Sequence, residues 1–180
     1  PVMQKLSNVI TECYIDTNLI EFLLNANVNH QHCCNNVINE LNKKKNGFTI
    51  GLIDNDKRAV AYIQDCEKIR ETKRLNFFKH RERNQYLITI SPAADRFIFN
   101  IAKEEGVNLS DFDLPTEFED FLEETKPQTS NKDQRFKKLF KEIKNHKEIS
   151  LLQKVLTYLC ENKYQSNVEE IKALCDENVK

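Results

Sequence analysis

Two hydrophobic periods alternate along this chain. Residues 9–15, Val-Ile-Thr-Glu-Cys-Tyr-Ile, are rich in β-formers and predict a first strand. Asp16 and Thr17 follow, and either side chain can cap a helix. Leu19, Ile20, Phe22, Leu23 and Leu24 then supply a helical apolar face. Asn25 to Asn35 is polar and predicts a loop with room for a short strand. Val37, Ile38 and Leu41 predict a second helix, with Lys43, Lys44 and Lys45 suited to its last turn and Gly47 to its end. From Phe48 to Ile53 the chain is apolar apart from Thr49 and Gly51, as in strands buried on both faces. Strand, helix, loop, helix, strand is the order of an α/β protein with a mostly parallel sheet flanked by helices.

Downstream, Ala59 to Asp65 predicts a short helix, and Leu75 to Lys79 and Tyr86 to Ile90 two strands joined by a basic hairpin loop. Pro92 suits the first turn of a helix that carries Phe97, Ile98, Ile101 and Ala102 and stops at Gly106. Leu109 to Pro115 reads as a loop and residues 116–124 as a short acidic helix. Lys126 to Asp133 is the best linker candidate. Beyond it, three helical stripes follow: Phe136, Leu139, Phe140 and Ile143; Leu151, Leu152, Val155 and Leu159; Val168, Ile171 and Leu174. This divides the chain into an α/β domain over residues 1–115 and a helical C-terminal extension over 116–180.

Charge narrows the partners. With 27 basic and 28 acidic residues the net charge is −1, which gives no general attraction to nucleic acid or anionic membrane. Basic surface must be local, as in Lys79 to Arg83 with Phe77, Phe78 and Tyr86 nearby. Six cysteines without a CxxC pair show no disulfide framework and predict free thiols in a reducing compartment. No apolar run approaches the roughly 20 residues that span a bilayer, and the first residues carry no secretory h-region. The expectation is a cytoplasmic protein with no membrane partner.

Candidate chemistry lies where the strands end. Asp54 and Asp56 follow the clearest buried strand, at the edge where α/β proteins bind ligands. Clustered carboxylates repel unless a cation neutralises them, and hard oxygen ligands select Mg²⁺ or Mn²⁺. The same Asp-Asn-Asp also makes an ordinary turn. Glu12 shifts the balance, because a glutamate in an apolar strand is costly unless it is paired or ligates a metal. Asp16 lies four residues further on. Lys57, Arg58 and His32 are candidate phosphate contacts. His30-Gln31-His32-Cys33-Cys34 is the one concentrated set of soft ligands. Packed so closely, it suits a polar loop, or a histidine that reaches the acidic site, better than zinc.

Thr11-Glu12-Cys13-Tyr14-Ile15-Asp16 and Gly51-Leu52-Ile53-Asp54-Asn55-Asp56 together resemble the two motifs of the Toprim domain. That is the Rossmann-like metal-binding fold of topoisomerases, primases and the nuclease half of overcoming-lysogenization-defect proteins. The resemblance covers about residues 7–105. It implies Mg²⁺-dependent phosphodiester chemistry on nucleic acid, with a place in phage defence. Glu12 would be the catalytic glutamate, and Asp54, Asp56 and Asp16 the metal-site acids. Cys13 stands where the family has glycine, and so favours the alternative of a catalytically inactive scaffold that binds a protein partner or a nucleotide. Tyr14-Ile15-Asp16-Thr17-Asn18-Leu19-Ile20 also resembles the opening of PIN-type ribonucleases. That reading uses Asp16, Glu40 and Asp95, with Asp111 or Asp113 as a fourth acid. The C-terminal helices carry no evident chemistry and are expected to cap the fold or to contact a protein partner.

Overall fold

The computed structural model describes residues 3–55 and 57–178. Strand β1 (Lys5–Thr11) leads into helix α1 (Tyr14–Leu24), β2 (Asn27–His30), α2 (Cys34–Lys43) and β3 (Thr49–Asp54). A short α3 (Val60–Gln64) precedes β4 (Cys66–Glu71), β5 (Leu75–His80) and β6 (Gln85–Ile90). Helices α4 (Ala94–Glu104), α5 (Phe118–Thr125), α6 (Gln134–Ile143), α7 (Lys147–Asn162) and α8 (Val168–Glu177) follow.

The six strands form one sheet in the order β2-β1-β3-β6-β5-β4. β2, β1, β3 and β6 run parallel, while β5 and β4 add an antiparallel edge. β2 lies on one side of β1 and β3 on the other. The direction of winding therefore reverses between β1 and β3, which opens a crevice beyond their carboxyl ends.

Alternate residues of each strand face opposite sides. Val9, Leu52 and Ile88 enter one apolar cluster with α1, α4, α6 and α7, and Ile10, Ile53 and Leu87 enter another with α2 and α3. The first cluster runs without interruption from the sheet through Phe97 and Phe121 to Phe136, Phe140 and Leu152. The expected boundary between residues 115 and 116 falls inside this shared core.

Several expectations need correcting. The first strand lies at Lys5–Thr11, not at 9–15, and Tyr14 and Ile15 begin α1. Their β-propensity yields to a cap: Cys13 is extended, and the Asp16 carboxylate reaches back to its N–H, the reciprocal bond of a capping box. Strand β4 escapes a reading by pattern, because only Cys66 and Ile69 are buried in Cys-Glu-Lys-Ile-Arg-Glu at the sheet edge. Pro92 precedes α4 rather than opening it, and the Ser91–Pro92 peptide is cis. The supposed linker is anchored, since Asn18 donates from Nδ2 to the carbonyls of Ser130 (2.7 Å) and Asp133 (3.2 Å). No described helix is long and apolar enough to cross a membrane.

Candidate functional site

β1 and β3 each deliver a carboxylate to the crevice between them. Glu12 immediately follows β1 and is only 8% exposed. Its Oε2 accepts a hydrogen bond from the backbone N–H of Asp54, the last residue of β3, at 2.9 Å. Asp54 in turn accepts through Oδ1 from the N–H of Ala94 at 2.9 Å. That N–H opens α4, whose dipole favours a carboxylate at its start. The tips of β1 and β3 and the start of α4 are thereby linked through acids, in addition to the apolar packing of the strands themselves.

Asp16 lies behind this pair, fully buried, with both oxygens accepting from the Cys13 N–H at 3.0 and 3.1 Å. Burial pushes its carboxyl well above the usual range, and Asp54 pushes it further. The Cys13 thiol is also raised, first by burial and then by Asp16 and Asp54. Asp16 thus feels the charges of Asp54 and Glu12 from behind the crevice.

A cavity of about 270 Å³ opens over these groups, and its walls include Glu12, Asp54, Asp95, His30, His32 and Lys126. The Tyr14 ring stacks on His30 with centroids 4.6 Å apart, and the exposed His32 ring stands edge-on to both. β2 ends at His30, so its pairing with β1 carries both histidines to the crevice. Asp95, near the start of α4, is raised by burial.

Of the residues expected from the sequence, Glu12, Asp16, Asp54 and His32 come together. Asp56 and the Lys57 side chain lie outside the described residues. Arg58 is exposed in the turn after β3 and does not line the cavity. Of the alternative acids, Asp16 and Asp95 reach the site. Glu40 instead pairs with Lys43 on α2 at 2.9 Å, and Asp111 bonds Asn108 in the turn beyond α4. Cys34 is buried in the α2 cluster on the other face of the sheet, so the His-Cys run does not converge as a zinc site would. Lys126 and Tyr14 were hidden in the sequence, one inside an apparent linker and the other inside an apparent strand.

Among the described residues no three His, Cys, Asp or Glu side chains converge at metal-ligand spacing. That does not suit zinc, which wants three or four protein ligands. Magnesium asks less of the protein, since it keeps several waters and binds through one or two carboxylates plus substrate phosphate. Glu12 and Asp54 each accept a backbone N–H, from Asp54 and Ala94 respectively, among their contacts.

No family model, curated protein or solved structure matches the chain.

Proposed function

We propose that this crevice is a Toprim-like site for Mg²⁺-assisted cleavage of a phosphodiester in nucleic acid. The observation that carries the reading is the bond from Asp54 N–H to Glu12. It joins a glutamate at the tip of β1 to an aspartate at the tip of β3, across the winding reversal. Glu12 and Asp54 would hold Mg²⁺ or Mn²⁺, which neutralises phosphate charge and lowers the pKa of bound water. Asp16 serves as a positioning residue. Its bonds to Cys13 N–H set the turn that presents Glu12. Lys126 lines the rim with its side chain 56% exposed and its ammonium paired with Glu123 at 2.5 Å, an exposed pair with which a phosphate would compete.

The cysteine in the glycine position does not oppose this reading. Cys13 has φ −116° and ψ 173°, an extended conformation open to any residue. The PIN-type alternative is less well supported, because Glu40 is turned to Lys43 on α2 and is absent from the cavity wall.

One observation favours an inactive scaffold: Glu12, Asp16 and Asp54 all accept backbone N–H bonds, a purely structural use of acids. Cleavage assays separate the two. Labelled single-stranded and duplex DNA and RNA are incubated with the protein in Mg²⁺ or Mn²⁺, and again in EDTA. Metal-dependent cleavage lost in Asp54→Asn is the expected result. No cleavage of any substrate, together with no metal binding, would overturn the proposal.

A further inference from the structure

Hydrogen-bond bookkeeping around Thr17 points to one tautomer of His30. The Thr17 hydroxyl lies 2.6 Å from the Cys13 carbonyl oxygen. A carbonyl has no proton to give, so the single hydroxyl proton of Thr17 is committed there. Asp16 Oδ1, at 3.4 Å, is too distant to compete for that proton, so Thr17 Oγ1 accepts from Thr11 Oγ1 at 2.6 Å and from His30 Nδ1 at 2.9 Å. His30 therefore carries its proton on Nδ1, and in the neutral ring Nε2 is a bare acceptor. Burial, followed by the neighbouring His32, lowers the His30 pKa and favours that neutral ring.

Nε2 is buried, and no protein donor reaches it. A buried acceptor left without a donor costs about 1–3 kcal/mol, a cost that a bound donor removes. The ring is held from two directions, by Thr17 at Nδ1 and by Tyr14 stacked on its face. It lines the same cavity as Glu12 and Asp54. A fixed tautomer with one nitrogen anchored and the other left without a protein partner beside the cavity is the arrangement that proton-transferring histidines require.

We infer that His30 Nε2 is the proton acceptor for the attacking water at this site. The inference rests on the phosphodiester reading given above. The water oxygen bonds to phosphorus while its proton passes to Nε2. The bond from phosphorus to the leaving oxygen breaks, and its electron pair stays on that oxygen. The imidazolium then returns the proton to the leaving oxygen, so that water and phosphodiester become a phosphomonoester and an alcohol. Thr11 and Thr17 act as positioning residues, because they fix the tautomer.

The test compares the wild type with His30→Ala and His30→Gln in Mn²⁺-dependent cleavage, with Mn²⁺ binding followed by calorimetry. His30→Ala should lose about 10²–10⁴-fold in kcat. Added imidazole should restore at least a tenth of the wild-type rate, and Mn²⁺ affinity should stay within a few-fold. A merely structural histidine would show no imidazole rescue. Cleavage by both variants within about threefold of the wild type would overturn the assignment and leave the phosphodiester reading intact. Loss of Mn²⁺ binding in a folded His30→Ala would also overturn it, in favour of a ligand role. A wild type that neither binds Mn²⁺ nor cleaves would overturn the phosphodiester reading itself, and this inference with it. ¹⁵N NMR of the unmodified protein gives a check that needs no variant: Nδ1 should carry the proton, and a ring protonated on Nε2 alone refutes the inference.

Discussion

Arg74→Met should be among the most damaging single substitutions outside the crevice. Arg74 lies just before β5 and its side chain is 7% exposed. Its Nη1 donates to Glu148 Oε2 at 2.8 Å, and the guanidinium also pairs with Glu104. Glu148 is 3% exposed at the start of α7, so this pair ties the helical layer to the sheet. Methionine keeps much of the apolar volume and removes the charge. Glu148 would then retain only the Thr72 hydroxyl at 2.6 Å and the residue-74 N–H at 2.9 Å. Breaking a buried pair from one side costs about 3–5 kcal/mol, because the surviving charge stays desolvated. At about 2–4 °C per kcal/mol for a chain of this size, Tm should fall by roughly 6–20 °C. Thermal unfolding followed by circular dichroism reads the effect. The double variant Arg74→Met/Glu148→Gln should be less damaged than the sum of its singles, because the stranded charge is gone. A Tm within 2 °C of the wild type for Arg74→Met, or strict additivity in the double variant, would refute the reasoning.

Three further outcomes follow from the packing and the charges. A Cβ on Gly51 would stand 2.9 Å from Leu41 Cδ1 and 3.1 Å from Leu87 Cδ1. Gly51→Val should therefore cost about 1–3 kcal/mol of urea stability through overpacking under α2, and an unchanged midpoint would contradict this. Asn18→Ala leaves the Ser130 and Asp133 carbonyls with only long backbone bonds of 3.4 Å and should cost about 1–3 kcal/mol while speeding proteolysis in that segment; equal cleavage rates would count against the anchoring. The Arg74 guanidinium beside Glu104 holds its carboxyl down to about 2, against an ordinary value of 4.5. The folded state thus binds fewer protons, so the stabilisation from Glu104 is present above about pH 4.5 and fades as pH falls toward 2. The stability difference between the wild type and Glu104→Gln should shrink over that window, and a constant difference would be the wrong result.

Legibility in the sequence followed burial. β3 and β6 stand out because both their faces are covered, which leaves continuous apolar runs. β4 is unreadable because an edge strand over one apolar face alternates too weakly among charges. Glu12 and Asp54 are visible as acids attached to apolar strands, while Asp16 is visible but its role is not, since that depends on Cys13 becoming a cap. The boundary at residue 115 reflects a change of local period, and a shared core crosses it because the C-terminal stripes have no other surface to bury against. Lys126 and the tautomer of His30 depend on tertiary placement and on the disposition of a single hydroxyl proton, neither of which leaves a pattern along the chain.

The most direct measurement is a calorimetric titration of Mn²⁺ into the wild type, Glu12→Gln and Asp54→Asn, each with a cleavage-resistant phosphorothioate oligonucleotide present to supply phosphate. The account predicts saturable binding to the wild type and at least a tenfold loss of affinity in each variant with its fold retained. Equal affinity in all three proteins, or no saturable heat in the wild type, would contradict it.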